Sequence, residues 1–188
     1  NLGEGVNDPG IFKAVFLAGG PGSGKTCVIN ELTKRKYDCM PEISRNVILL
    51  AKQKGIDQLF LSDPILFSEL LLEGREKQYI EATKSRSPLI FFDRGIPDIH
   101  AYMDYVKTPY PDKFLKKSKQ YRYTKVFLFN PWEEIYTTDN ERYENFEQSV
   151  TIHTHLAETY TKYGYNLIEV PFRTVKERVN FILQTLDL

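Results

Sequence analysis

The sequence predicts an α/β domain in which helices cover both faces of a five-stranded parallel sheet. Short β-branched or aromatic runs alternate along the chain with longer segments of helical period. LIFF and KVFLF lack polar alternation, as strands buried on both faces do. A glycine-rich loop directly follows the first strand and opens a helix.

The elements follow in order. Phe12 to Ala18 forms the first strand, and TCVINELTKRK is the helix that begins at the last glycine of the loop. Tyr37 to Met40 is the second strand, with ISRNVILLAKQK as the helix behind it. Asp63 and Pro64 read as an N-cap and a first-turn proline, opening a long helix to about Lys84. Leu89 to Phe92 and Lys125 to Phe129 are the third and fourth strands. Trp132 in NPWEEIY starts a helix as a packing residue, and Asn140 to Lys162 is a long polar segment with a weakly amphipathic start. Asn166 to Val170 is the last strand. Thr174 and Glu177 make a capping box for a final helix with Val175, Val179, Ile182, Leu183 and Leu186 on its apolar face.

Composition narrows the function. A chain of 188 residues with 41% hydrophobic content supports one domain with one core. Residues 1–10 read as a loose leader, and 11–188 as that domain. Lys and Arg together number 25, equal to Asp and Glu, so no global basic field exists to hold nucleic acid or an anionic membrane. Phosphate chemistry must therefore be local. Two cysteines without CxxC spacing, and no apolar run long enough to span a membrane, fit a cytoplasmic protein.

Gly19-x4-Gly24-Lys25-Thr26 is a Walker A pattern in the strand, loop, helix order that its mechanism requires. Glycines adopt backbone conformations closed to other residues, so successive N–H groups can converge on one anion. Gly20, Pro21, Gly22, Ser23, Gly24, Lys25, Thr26 and Cys27 are the nucleotide-binding candidates. Lys25 supplies a full positive charge, and the Thr26 hydroxyl completes the shell of a magnesium ion bridging two phosphates. No NKxD string for a guanine ring occurs. The expected cofactors are ATP, with GTP left open, and Mg2+.

In open α/β sheets, ligands lie outside the carboxyl ends of the strands. Strand two runs into MPEISR and strand three into FFDRG, which puts Glu42, Asp93 and Arg94 at that edge. An AAA+ motor would carry an acidic pair there and a helical lid domain, whereas Asp93 is followed by Arg94.

GGPGSGKT, PEISR, FFDRGIPD, NPWEEIYTTDNERYENFEQS and YNLIEVP together resemble the small P-loop ATPases related to the kinase domain of nicotinamide riboside kinase. The resemblance spans about residues 12–187. It implies a three-layer, nucleotide kinase-like P-loop fold with strand order 2-3-1-4-5 and a small lid near residues 132–148. It leaves the substrate open.

In kinases of this fold the protein mainly positions reactants and neutralises charge. Asp93 is the expected magnesium ligand beside Thr26. Glu42 is the candidate general base, or the residue that orients the acceptor. Arg45 and Arg94 either hold an anionic acceptor or steady the acidic cluster. Arg142, in TTDNERYENF, falls where a closing lid brings charge to the transferring phosphate. Phe172 lies in the loop that flanks the nucleotide base in such kinases. His153 and His155, two apart on a helix, face different ways and suggest no metal site.

The expected activity is magnesium-dependent transfer of the ATP γ-phosphoryl group to a small nucleoside-like or phosphorylated metabolite. An ATPase, or a nucleotide-dependent switch whose product is contact with a protein partner, is the alternative.

Overall fold

The computed structural model describes residues 13–20, 22–136 and 144–188. The chain runs β1 (Lys13–Ala18), α1 (Lys25–Lys34), β2 (Asp38–Met40), α2 (Ser44–Gln53), α3 (Leu59–Ser62), α4 (Pro64–Lys84) and β3 (Leu89–Asp93). It continues through α5 (Ile96–Tyr105), α6 (Asp112–Gln120), β4 (Lys125–Leu128), α7 (Phe146–Lys162), β5 (Leu167–Glu169) and α8 (Val175–Thr185). The sheet order is β2-β3-β1-β4-β5 and every pairing is parallel.

Side chains of a strand alternate between its faces, and β1 divides the core accordingly. Ala14, Phe16 and Ala18 pack with Ile90, Phe92, Val126 and Leu128 against Ala82, Ala101, Leu156 and Tyr160 of α4, α5 and α7. Val15 and Leu17 pack with Phe91 and Phe127 against Val28 and Leu32 of α1 and Val179, Ile182 and Leu183 of α8. A satellite cluster, with Leu59, Phe67, Leu71, Ile96, Ile99, Met103 and Phe114 at its centre, joins α3, α4, α5 and α6. These layers are the three expected from the sequence.

The caps also form as read. The Asp63 side chain accepts from the Leu66 N–H with Pro64 in the first turn, and Thr174 and Glu177 exchange the two bonds of a capping box. α7 has its own box, between Asn145 and Gln148. Two expectations are corrected. Trp132 precedes only a short 3-10 turn, Glu133–Ile135, rather than a helix. Val175 is exposed, because it occupies the first position of α8 before the helix reaches the sheet.

Register places the site. Leu17 pairs with Asp93, and Ala18 with Leu128, so β1, β3 and β4 end side by side. The ladder runs one bond further on either side, through Arg94 N–H to Leu17 O (3.2 Å) and Phe129 N–H to Ala18 O (2.8 Å). The strand order reverses between β1 and β3, the crevice where open sheets bind ligands.

Candidate active site

The loop after β1 cannot carry side chains at several of its positions. A Cβ on Gly19 would stand 2.8 Å from Phe129 Cβ, and one on Gly24 would stand 2.6 Å from Arg178 Nη1. Gly22 and Gly24 have φ of 74° and 78°, in the left-handed region where glycine carries no penalty. α1 then starts at Lys25, so the helix N-terminus and the loop amides share one focus. Lys25 is buried, donates from Nζ to Gly19 O at 3.0 Å and pairs with Asp93 Oδ1 at 3.0 Å. Burial lowers its pKa, and the nearby Asp93 carboxylate offsets only part of that. Thr26 and Cys27 are exposed on the first turn of α1.

Beside the loop lies an ionic cluster built from distant segments. Glu42 pairs through Oε1 with Arg75 Nη2 (3.3 Å) and through Oε2 with Arg94 Nε (2.7 Å), and its Oε1 accepts from the Ser44 N–H (2.8 Å). Burial alone would raise the carboxyl's pKa. Arg94, then Arg75 and Lys25, outweigh it and hold Glu42 well below the usual carboxylate range. Arg75 also donates to Gly95 O at 2.8 Å. Arg94 has φ of 67°, uncommon for a residue with a side chain, and turns the chain sharply at the end of β3. Behind it, Asp98 Oδ2 accepts from the Gly95 N–H (3.1 Å) and from the Tyr160 hydroxyl.

A cavity of about 590 Å³ joins these parts. The loop and the start of α1 form one wall. Ile48, Phe60, Phe67, Leu71, Ile99 and Tyr102, from α2 to α5, form an apolar and aromatic chamber, and Arg45, Arg75, Arg94 and Asp98 supply charge. Toward α8, the lining includes Trp132, Arg173, Thr174 and Arg178. Trp132 stacks on Phe172 with ring centroids 4.9 Å apart, and Phe172 is 49% exposed.

The family model AAA_28, described as an AAA domain, matches residues 14–178. The chain belongs to this family. No curated protein sequence matches it significantly. Among solved structures it is similar to a deoxyadenosine kinase from M. mycoides, with 16% identity, a TM-score of 0.69 and coverage of 93% of this chain and 98% of that one. It is also similar to the NadR protein solved in complex with NR, at 16% identity and a TM-score of 0.74. That match covers 95% of this chain and 52% of NadR, so the chain spans about half of that protein's length. A thymidylate kinase from Ehrlichia chaffeensis gives 17% identity and a TM-score of 0.59 over 94% of this chain and 99% of the other. The fold of this AAA_28 domain is therefore that of P-loop nucleoside and nucleotide kinases, with the strand order expected.

Among the residues expected to act in the AAA_28 domain, Gly20, Gly22, Ser23, Gly24, Lys25, Thr26 and Cys27 line the cavity with Arg45 and Arg94. Glu42 and Asp93 stand behind that lining and hold Arg94 and Lys25 in place. Phe172 is not among the lining residues and stacks on Trp132, which is. Pro21, Arg142, residues 1–10 and residues 137–143 of the expected lid lie outside the described residues. Sequence reasoning missed Arg75, Asp98 and Arg178. Two of these carried a signal, because Arg75 recurs four residues after Leu71 and Arg178 four before Ile182, each on a buried helical face.

The donor set suits both cofactors. A Cβ on Gly19, Gly22 or Gly24 would run into Phe129, Tyr136 or Arg178, so glycine lets the loop backbone fold closely enough for its amides to face one anion. Mg2+ keeps several waters and takes one or two protein oxygens plus phosphates. The Thr26 hydroxyl and the Asp93 carboxylate are oxygen donors of that kind, although Asp93 Oδ1 is paired with Lys25 and among the described residues no cluster of three or more His, Cys, Asp or Glu residues that could hold a metal occurs.

Proposed function

We propose that this AAA_28 domain transfers the γ-phosphoryl group of ATP, with Mg2+, to a hydroxyl of a small nucleoside-like or phosphorylated metabolite. The observation that carries this reading is the single cavity with a phosphate-binding loop on one wall and an aromatic, apolar chamber on another. A hydrolase or switch needs only the first; the second is suited to a planar acceptor.

The proposed roles draw on the positions of these residues. Loop amides and Lys25 bind the β- and γ-phosphates, while Trp132 and Phe172 offer a flat surface to the base. Thr26 and Asp93 would hold Mg2+, which supplies charge neutralisation across the phosphates. In a loose transition state little covalent work falls to the protein, so orientation of the acceptor matters most. Glu42 is the proposed residue to orient the acceptor hydroxyl; tied to Arg75 and Arg94 behind the cavity lining it is a weak base, and it would receive the proton only after an arginine has turned away to the substrate. Arg45 and Arg94 are positioned to hold an anionic group of the acceptor. Arg142 retains the role of a lid arginine. Cys27 and Cys39 are free thiols, which suits a cytoplasmic setting, and among the described residues no helix is long and apolar enough to cross a membrane.

The test is ADP release from ATP with Mg2+ across a panel of nucleosides, nucleotides and vitamins. Acceptor-dependent release supports the proposal. Release at the same rate with every acceptor and with none would make the protein an ATPase. No release at all, with a protein partner bound only in the ATP state, would make it a switch.

A further inference from the structure

Arg178 is 2% exposed, yet among the described residues no carboxylate pairs with it. Its guanidinium lies over the rings of Phe129 (4.8 Å) and Trp132 (5.4 Å), and Nε and Nη2 have no hydrogen-bond partner. Nη1 makes its one bond, to Ser23 O at 2.9 Å. Burial draws its pKa down to about 10, which still leaves the group charged at neutral pH. A buried cation without a counter-ion is costly, so its retention calls for a gain elsewhere.

The gain is found in the peptide plane it holds. A trans peptide is planar, with its C=O and the next residue's N–H pointing in opposite directions. Arg178 draws the Ser23 carbonyl toward α8 and thereby turns the Gly24 N–H the other way. Ser23, Gly24 and Arg178 all line the cavity, with Arg178 on the wall toward α8. Glycine at φ 78° has no side chain to resist the reverse orientation, so the plane needs an outside hold. The neighbouring planes are held in the same manner. Trp132 N–H donates to Gly22 O (3.0 Å) and Lys25 Nζ to Gly19 O (3.0 Å); Ser23 Oγ also bonds Gly20 O (2.9 Å), but that carbonyl is followed by Pro21, which has no N–H to aim. Of these anchors, Arg178 alone comes from the far end of the chain, 155 residues away.

We propose that Arg178 is a positioning residue that locks the Ser23–Gly24 peptide with its N–H toward the phosphates, fixed in turn by the aromatic pair Phe129 and Trp132. The inference rests on the nucleotide-binding reading of the loop but not on any acceptor. It differs from recognition of the base by Arg178, in which the loss would follow the adenosine moiety and spare tripolyphosphate.

The test compares wild type with Arg178→Met by calorimetric titration of ATP, tripolyphosphate and adenosine, with thermal melting alongside. The expected result is a loss of about 10- to 100-fold for ATP and tripolyphosphate alike, the worth of one charge-assisted bond, with adenosine binding unchanged. The melting temperature should stay level or rise, because a buried unpaired charge has gone. Wild-type affinity of Arg178→Met for tripolyphosphate overturns the inference, as does loss for ATP and adenosine with tripolyphosphate spared, which would mean base recognition. Should Arg178→Met not fold, Arg178→Lys, which can donate but cannot lie flat between two rings, should bind tripolyphosphate at least several-fold more weakly; equal binding overturns the proposal. A wild type that binds no nucleotide would instead refute the reading of the loop itself.

Discussion

Arg94 Nε lies 2.7 Å from Glu42 Oε2, an ion pair between the turn after β3 and the loop after β2 that joins the ends of two neighbouring strands. Arg75 closes on the same carboxylate from α4. Three segments thus converge on one charge, and most of the consequences of substitution at the site follow from who loses a partner.

On the proposed function, Glu42→Gln should leave ATP affinity nearly intact and abolish transfer, since the acceptor hydroxyl would lose its orienting carboxylate. It should also destabilise the fold by about 3 kcal/mol, since removing one member of a buried cluster strands the others. Because the Glu42 carboxyl titrates below its unfolded value, its contribution is full above that value, about pH 4.3, and fades as pH falls toward its folded pKa. Urea midpoints below about pH 4 should therefore fall faster for wild type than for Glu42→Gln. Parallel curves would show that the cluster adds nothing to stability.

Lys25→Ala removes the one full charge among the loop amides and also leaves Asp93 without its partner. Loss of a preorganised donor of this kind costs about 2.7–4 kcal/mol in catalysis, so turnover should fall by roughly 10²- to 10³-fold. Steady-state ADP release reads it directly. Unchanged turnover would remove Lys25 from the phosphate site.

Much of this architecture was legible in the sequence, for reasons of period and local chemistry. Strand burial showed in LIFF and KVFLF, and helix ends showed at Asp63 and Thr174, because each depends on residues a few positions apart. The edge strands β2 and β5 came out shorter than read, at three residues each, since each has only one neighbour to extend its ladder. The cavity wall was legible where one segment makes it, as in Gly19, Gly20 and residues 22–27. Partners across 33 or 155 residues, Arg75 to Glu42 and Arg178 to Ser23, depend on tertiary packing and left only the trace of an arginine on an apolar stripe.

Trp132 is the chain's one tryptophan, and it stands at the cavity stacked on Phe172. ATP binding should accordingly change intrinsic fluorescence, whereas tripolyphosphate should change it little. Phe172→Ala should weaken ATP by about 1 kcal/mol, the scale of one aromatic pair beyond its buried area, and spare tripolyphosphate. Equal loss for both ligands would place the base elsewhere.

Asp93→Asn keeps the shape of the side chain while removing its charge from both Lys25 and the expected magnesium position. The magnesium concentration for half-maximal activity should rise about tenfold or more, with maximal turnover less affected. A titration curve that does not move would leave Asp93 as a partner of Lys25 alone.

His100 makes the last prediction, one about the fold rather than the reaction. It is 1% exposed in α5, with Nε2 2.6 Å from Ser118 Oγ and its ring against Tyr110, Phe114 and Tyr163. Burial pulls its pKa down to about 4, so the folded protein keeps it neutral while the unfolded chain takes up a proton near pH 6.5. The unfolded state thus binds more protons between those values, and stability must fall as pH drops from about 6.5 to 4. Full expression of that shift would remove about 3 kcal/mol, on the order of 1.36 kcal/mol for each pH unit. His100→Gln cannot titrate there and retains a group able to bond Ser118. Its urea midpoint should change less between pH 7 and pH 5 than that of wild type, and an equal change in both would mean that the His100 pocket admits water and a proton.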